Sequence, residues 1–195
     1  LKKHILLVVN PISGDVDKSK IVRLTKEFGD LNNTKIIVFE TSPYGDIERL
    51  RFFQKEYLPE KIIVAGGDGT IKMVAEAMEH LNVVLGILPA GSANGLATDL
   101  NLPNSIEENL PIVFGEHFME IDMISINGKK SLHLSDLGLN ADLVKNYAKS
   151  KIRGMWGYAL QTFSTLKNLK TPFFVTSACT DLPNSLSINY LLLIT

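Results

Sequence analysis

The pentapeptide Gly66-Gly67-Asp68-Gly69-Thr70 gathers three glycines around one carboxylate. It directly follows a strand-like run, Lys61 to Ala65, and opens a segment with helical spacing, Ile71 to Met78. Glycines at a strand-to-helix turn let the backbone approach a bulky anion. The helix that follows offers unpaired N–H groups and a partial positive charge at its start. Asp68 would stand beside that anion, where a carboxylate can hold a magnesium ion or its water shell. Thr70 can cap the helix or donate to a phosphate. The plainer alternative is a glycine-rich turn with Asp68 and Thr70 serving only as caps, but three glycines exceed what a cap requires.

A second segment, Leu88-Pro89-Ala90-Gly91-Ser92-Ala93-Asn94-Gly95-Leu96-Ala97, repeats the arrangement. It follows the apolar run Val83 to Leu88 and leads toward a short helix. Ser92 and Asn94 are small polar groups suited to phosphate or ribose, although Pro-Ala-Gly-Ser-Ala could also be a plain turn. Asn10-Pro11-Ile12-Ser13-Gly14 and Thr41-Ser42-Pro43-Tyr44-Gly45 are weaker signals, being built of common turn residues. Their force lies in position. Each follows a strand-like run, so four successive strands end in small-polar, glycine-containing loops, as a nucleotide crevice on an open α/β sheet requires.

The elements that must position these loops are legible from periodicity. Ile5 to Val9, Ile36 to Phe39, Ile62 to Ala65 and Val83 to Leu88 are short, β-branched and apolar throughout, the pattern of parallel strands buried on both faces. Between them, Ile21, Leu24 and Phe28 share a helical face. So do Ile47, Leu50 and Tyr57, and so do Ile71, Val74, Ala75 and Met78. Alternating strand and helix predicts a parallel sheet with helices packed on it. The rhythm changes near residue 117. Phe118 to Ile126 reads as a strand, Asn127-Gly128 as a hairpin turn, and Lys130 to Leu134 as the antiparallel return. A helix-like stretch around Trp156 to Leu166 and strand-like runs Phe173 to Thr176 and Ile188 to Ile194 follow. We therefore expect an α/β domain over residues 1–118 and a partial, β-rich, mostly antiparallel domain over 119–195.

With these motifs in this order, the chain resembles the diacylglycerol kinase catalytic-domain family, which includes sphingosine and ceramide kinases and bacterial lipid kinases. It is more distantly similar to NAD kinases. Gly-Gly-Asp-Gly-Thr alone would also fit NAD kinases or phosphofructokinases. Its combination with Asn10-Pro11-x-Ser13-Gly14 and Pro89-x-Gly91-Ser92-x-Asn94, spread over residues 4–103, is far more specific. The resemblance implies two domains with ATP in the cleft. It implies a nucleotide site built from Asn10, Pro11, Ser13, Gly14, Thr41, Gly66, Gly67, Gly69, Thr70, Gly91, Ser92 and Asn94. Asp68 would be the essential acid, organising Mg²⁺ and ATP and activating the acceptor hydroxyl. Asp142, in Gly138-Leu139-Asn140-Ala141-Asp142, would face the lipid head group from an antiparallel β-sandwich. Two departures from the family pattern matter. Gly95 stands where bacterial diacylglycerol kinases usually carry Asp, and Pro89-Ala90 with Ser92 look more like the sphingosine or ceramide branch. The acids that the family places near the end of its sandwich domain have no counterpart before Thr195.

The implied reaction moves the γ-phosphate of ATP to a hydroxyl of a diacylglycerol-like or sphingoid lipid. The alternatives are an NAD kinase-like phosphotransferase, against which the Pro-Ala-Gly-Ser-Ala-Asn loop argues, or a nucleotide- or lipid-binding module without turnover if the chain truly ends at Thr195. Because the chain begins at Leu1 and stops on an apolar run, Tyr190 to Ile194, a fragment is expected. Asp68→Asn is expected to abolish turnover and leave the fold intact.

Bulk properties set the remaining bounds. The 195 residues are 45% hydrophobic and 21% charged, an ordinary globular balance, and the net charge of −1 gives no field to draw in nucleic acid. Cys179 is the single cysteine, so no internal disulfide can form, which suits a reducing, cytoplasmic setting. No apolar run reaches the roughly 18 residues of a membrane span. Lys2-Lys3 before Ile5 to Val9 faintly suggests a signal peptide, but Asn10-Pro11 ends the run too early. His4, His80, His117 and His133 lack ligand spacing. Ser92 lacks the flanks of a hydrolase nucleophile, and there is no P-loop lysine motif. Leu143 to Thr180 carries Lys145, Lys149, Lys151, Arg153, Lys167 and Lys170 and no acid. This is either a solvated face or a basic surface resting on anionic lipid with Trp156 and Tyr158 at the interface. A lipid acceptor favours the second, hence a peripheral membrane partner; a homodimer is one assembly open to such a protein.

Overall fold

A computed structural model of the chain describes residues 3–126, 129–132 and 190–194. These belong to one compact unit. Four strands alternate with helices in its first half. They are β1 (Lys3–Val9), α1 (Lys18–Leu31), β2 (Thr34–Glu40), α2 (Asp46–Tyr57), β3 (Lys61–Gly66), α3 (Asp68–Ala77) and β4 (Val84–Pro89). Two further helices, α4 (Gly95–Asp99) and α5 (Ile106–Phe114), precede β5 (Phe118–Asp122), β6 (Ile124–Ile126) and β7 (Lys129–Ser131). A last described strand, β8, spans Tyr190–Ile194.

The sheet order is β2-β1-β3-β4-β8-β5, with β2, β1, β3 and β4 all parallel. Its two faces are read out by strand alternation. Leu6 and Val8 of β1 join Ile62 and Val64 of β3 on one face, under Leu50 of α2 and Ile71 and Val74 of α3. Ile5, Leu7 and Val9 join Ile63 and Ala65 on the other, under Ile21 of α1 and Ile106, Leu110 and Val113 of α5. A strand sandwiched this way can be apolar at every position, which is why β1 and β3 lack polar alternation. Leu6, Leu7, Ile62 and Ile63 are wholly buried. Each contributes on the order of 1.5–3 kcal/mol by leaving water.

The strands and first three helices match the expected α/β pattern. Helix α5 escaped the sequence reading. It is short, apolar on most sides and contains Pro111, a residue that normally argues against a helix interior. Tertiary packing compensates. Ser105 caps its start through Glu108 N–H, and Gly86 on β4 leaves room for it, since a Cβ there would lie 2.9 Å from Val113 Cβ. Lys61 Nζ donates to the Phe114 carbonyl at 3.2 Å and also to that of Gly115, closing the helix's carboxyl end. Burial depresses the Lys61 pKa, against a smaller opposing pull from Glu116.

The Asn127-Gly128 signal joins β6 to β7, which pair antiparallel with Ile126 opposite Lys129. The single strand expected over Phe118 to Ile126 is instead two, β5 and β6, which part at Met123 and enter different sheets; the change of rhythm expected near residue 119 falls on β5. That strand pairs antiparallel with β8, while β8 runs parallel to β4. Both strands therefore extend the first sheet. Asp142, Trp156, Cys179 and the basic stretch Leu143 to Thr180 lie outside the described residues.

Candidate functional site

Strand registers bring the four loops to one rim. Val9 is level with Glu40 on one side and Ala65 on the other, and Gly66 is level with Pro89. The ladders continue one residue further. Thr41 N–H donates to Val9 O at 2.9 Å, Asn10 N–H to Ala65 O at 3.1 Å, and Ala90 N–H to Gly66 O at 3.1 Å. The chain reverses direction across the sheet between β1 and β3, because β1 leads left to β2 while β2 leads back to β3. At such a switch point the connections leave to opposite faces and a crevice opens at the carboxyl ends. The loops after β1 and β3, carrying Asn10 and Asp68, flank it.

Most of the polar motif side chains are spent on holding these loops together. Asn10 Nδ2 donates to Thr70 Oγ1 at 3.0 Å, and its Oδ1 accepts from Ile12 N–H at 3.2 Å. Ser13 Oγ lies 2.9 Å from Ala90 O and 3.1 Å from Asn10 O. Asn94 closes its own loop, accepting from Gly91 N–H at 2.7 Å and donating to Gly91 O at 3.0 Å. Pro11 and Ser92 are exposed, and Thr41 is half-buried at the end of β2. The loop after β2 is pinned by Asp46, which accepts from Ser42 N–H and from Arg49 at 2.7 Å.

The glycines divide into two kinds. A Cβ on Gly91 would lie 2.4 Å from Gly67 Cα, and one on Gly14 would lie 2.8 Å from the Gly91 carbonyl carbon, with φ at +51° besides. A Cβ on Gly66 would lie 2.7 Å from Thr70 Cβ. These glycines are required by the protein's own close packing of loop on loop. Gly69 is different. It sits in the first turn of α3, and a Cβ there meets nothing within 4 Å among the described residues. Next to it, Thr70 and Ile71 N–H donate to Gly67 O, whereas the N–H groups of Asp68 and Gly69 have no acceptor among the described residues. The result is an open, glycine-walled start of a ten-residue helix with donors to spare.

Asp68 does something the sequence did not disclose. Its Oδ2 accepts from Gly95 N–H at 2.9 Å and its Oδ1 from Leu96 N–H at 3.0 Å. It thus caps α4, the next helix along the chain, rather than its own. Each oxygen keeps a lone pair for a metal-bound water or a metal ion. Among the described residues no three His, Cys, Asp or Glu side chains cluster as ligands. Asp68 is the described carboxylate placed to hold a magnesium ion or its water shell beside this helix start.

Lys18 was also missed. Its Nζ donates to Val16 O at 2.9 Å and Ala90 O at 3.2 Å, and to Ser13 O. Desolvation lowers its pKa, while Asp15 and Asp17 pull the other way. One signal in the sequence was available: a lysine in the first turn of a helix opposes the helix dipole, so another partner must hold it.

Residues 4–126, well over half of the chain, match the diacylglycerol kinase catalytic domain. The chain belongs to this family. Two curated members of similar sequence are described as "Probable lipid kinase YegS-like", from Yersinia pestis (strain Pestoides F) and Yersinia pseudotuberculosis serotype O:1b. Each is 33% identical over 131 residues, covering 65% of this chain and 43% of the relative. The chain thus spans less than half the length of these relatives. A solved structure of a diacylglycerol kinase from Bacillus anthracis str. Sterne is similar with a TM-score of 0.56 and 25% identity. The match covers 66% of this chain and 47% of that one. The family match includes the loops after β1, β2, β3 and β4 and ends at β6.

Proposed function

We propose that this chain carries the nucleotide-binding part of an ATP-dependent lipid kinase. The observation that carries the reading is Gly69. A glycine in a helix costs roughly 0.5–1 kcal/mol relative to alanine. Here the protein's own packing gives no reason for it, since a Cβ would point into open space. A phosphate lying against the start of α3 supplies the reason, because only a bare backbone lets an oxygen reach the N–H groups of Asp68 and Gly69. The relatives' description, "Probable lipid kinase YegS-like", favours a lipid hydroxyl as acceptor over a dinucleotide.

Transfer of a phosphoryl group asks the protein mainly for position and charge. The α3 N–H groups would hold the phosphates, and the packed loops of Gly14, Gly67 and Gly91 would form the floor beneath them. Thr41, Ser92 and the exposed edge of Asn10-Pro11 remain to meet the rest of the nucleotide. Asp68 would orient the waters around Mg²⁺, which when bound neutralises charge on the phosphates, and would accept the acceptor's proton. Residues 119–195 would contribute the β-rich substrate part, with Asp142 toward the lipid head group. The whole protein would act at a membrane surface from the cytoplasm. No described helix is long and apolar enough to cross a membrane.

The test is Gly69→Ala, with Mg-ATP binding measured by calorimetry beside a thermal melt. We expect an unchanged or higher melting temperature and at least a tenfold weaker Kd. A variant that binds Mg-ATP as the parent does would overturn the nucleotide reading. Labelled ATP offered with diacylglycerol, sphingosine or NAD then identifies the acceptor.

A further inference from the structure

We propose that Lys18 is a positioning residue, setting the gap between the loop after β1 and the loop after β4 and thereby the affinity of the cleft for nucleotide. The inference rests on the nucleotide reading above and adds a residue to it. The ammonium lies where three carbonyls converge, Ser13 O and Val16 O from one loop and Ala90 O from the other. All three of its protons are thereby used, so it is not a free cation waiting for a phosphate. Ala90 O receives a second donor from the same loop, Ser13 Oγ at 2.9 Å. Immediately beside this joint, Gly14 packs on the Gly91 carbonyl, and Gly91 packs on Gly67 at the start of α3. A shift at Ala90 is therefore passed by backbone contact to the turn that would hold the phosphates.

Charge makes the joint firm. A hydrogen bond from an ammonium to a carbonyl is stronger than one between neutral groups. Burial works against its charge and is the larger effect, lowering its pKa, while Asp15 and Asp17 favour the protonated form. Asp17 is otherwise occupied as the N-cap of α1, accepting from Ser19 and Lys20 N–H. Lys18 begins α1, so the helix, the loop it bonds and the neighbouring strand's loop meet at one side chain.

The test compares Lys18→Met and Lys18→Arg with the parent chain in two measurements: Mg-ATP binding by calorimetry well below the melting temperature, and amide exchange across the rim. For Met we expect a Kd at least tenfold weaker, with faster exchange confined to residues 13–16 and 90–95. For Arg, which keeps charge and donors, we expect a Kd within about threefold of the parent. Should Met not yield folded protein, Lys18→Gln, which keeps N–H donors without charge, takes its place in the same comparison. Parent protein that binds no Mg-ATP would remove the nucleotide reading itself. Parent binding with an unaltered Kd in the Met or Gln variant would overturn the role of Lys18 alone. So would an Arg variant as weak as Met, or exchange that rises evenly over the whole sheet.

Discussion

Asp68 shows how one side chain can serve both the fold and the proposed chemistry. Its two oxygens accept the Gly95 and Leu96 N–H groups, so the carboxylate ties the start of α3 to the start of α4. The expectation that Asp68→Asn leaves the fold intact took no account of these two bonds. An amide offers one acceptor oxygen and turns an NH₂ toward the second donor, leaving that donor without a partner. Such a loss costs about 1–3 kcal/mol. We expect the variant to melt several degrees lower in a thermal scan. If Asp68 also orients the metal's waters and takes a proton, turnover of the complete enzyme on its best lipid should fall by about 10²–10⁴ as well. A variant with a lowered melting temperature and near-normal turnover would reduce Asp68 to a cap of α4.

At the scale of elements, the rim is built by loops that touch backbone to backbone. Gly14, Gly91 and Gly67 stack in that order, and their side-chain-free surfaces set the distances between β1, β4 and β3 loops. Gly91→Ala would place a methyl 2.4 Å from Gly67 Cα and 2.9 Å from Asn94 Oδ1. Backbone must move to admit it. Overpacking of this kind costs about 1–3 kcal/mol. A urea melt of Gly91→Ala should show a lower midpoint at unchanged slope, in contrast to Gly69→Ala, which meets open space a few residues away. Equal stability of the two variants would show that the loops yield more easily than their contacts imply. The two substitutions thus separate glycines kept for packing from the glycine kept for a ligand.

At the scale of the whole molecule, the parallel order β2-β1-β3-β4 places a crevice between β1 and β3, with polar loops at one rim and the apolar core below. A lipid acceptor would have to be brought to that rim from a bilayer. The sequence from Leu143 to Thr180, six basic residues and no acid, supplies charge suited to an anionic surface. Because screening at physiological salt shortens electrostatic reach to about 8 Å, binding of the chain to phosphatidylserine vesicles should weaken as salt is raised. Co-sedimentation with anionic and neutral vesicles across a salt series checks this. Equal binding to both kinds would exclude the basic stretch as the membrane contact.

The sequence by itself determined the alternation of buried strands and amphipathic helices, and with it the parallel sheet and the positions of the four loops. Those features follow from local periodicity and from turn residues, which act within a few positions of one another. It also pointed to the antiparallel pairing of β6 with β7, because Asn-Gly between two strand-like runs favours a two-residue connection. Only the tertiary structure decided what the motif residues do to one another. The bonds of Asp68 to Gly95 and to Leu96, of Asn10 to Thr70, and of Lys18 to Ala90 span 27, 28, 60 and 72 positions. No local pattern encodes such pairings, since they exist only once the sheet has set β1, β3 and β4 side by side. The same holds for α5, whose Pro111 reads locally as a helix breaker. Packing against β4, where Gly86 makes room, and closure of its end by Lys61 stabilise it across more than 25 positions of chain. Gly69 looked like its neighbours in sequence. It stood apart from Gly66, Gly67 and Gly91 once the space around each was filled in.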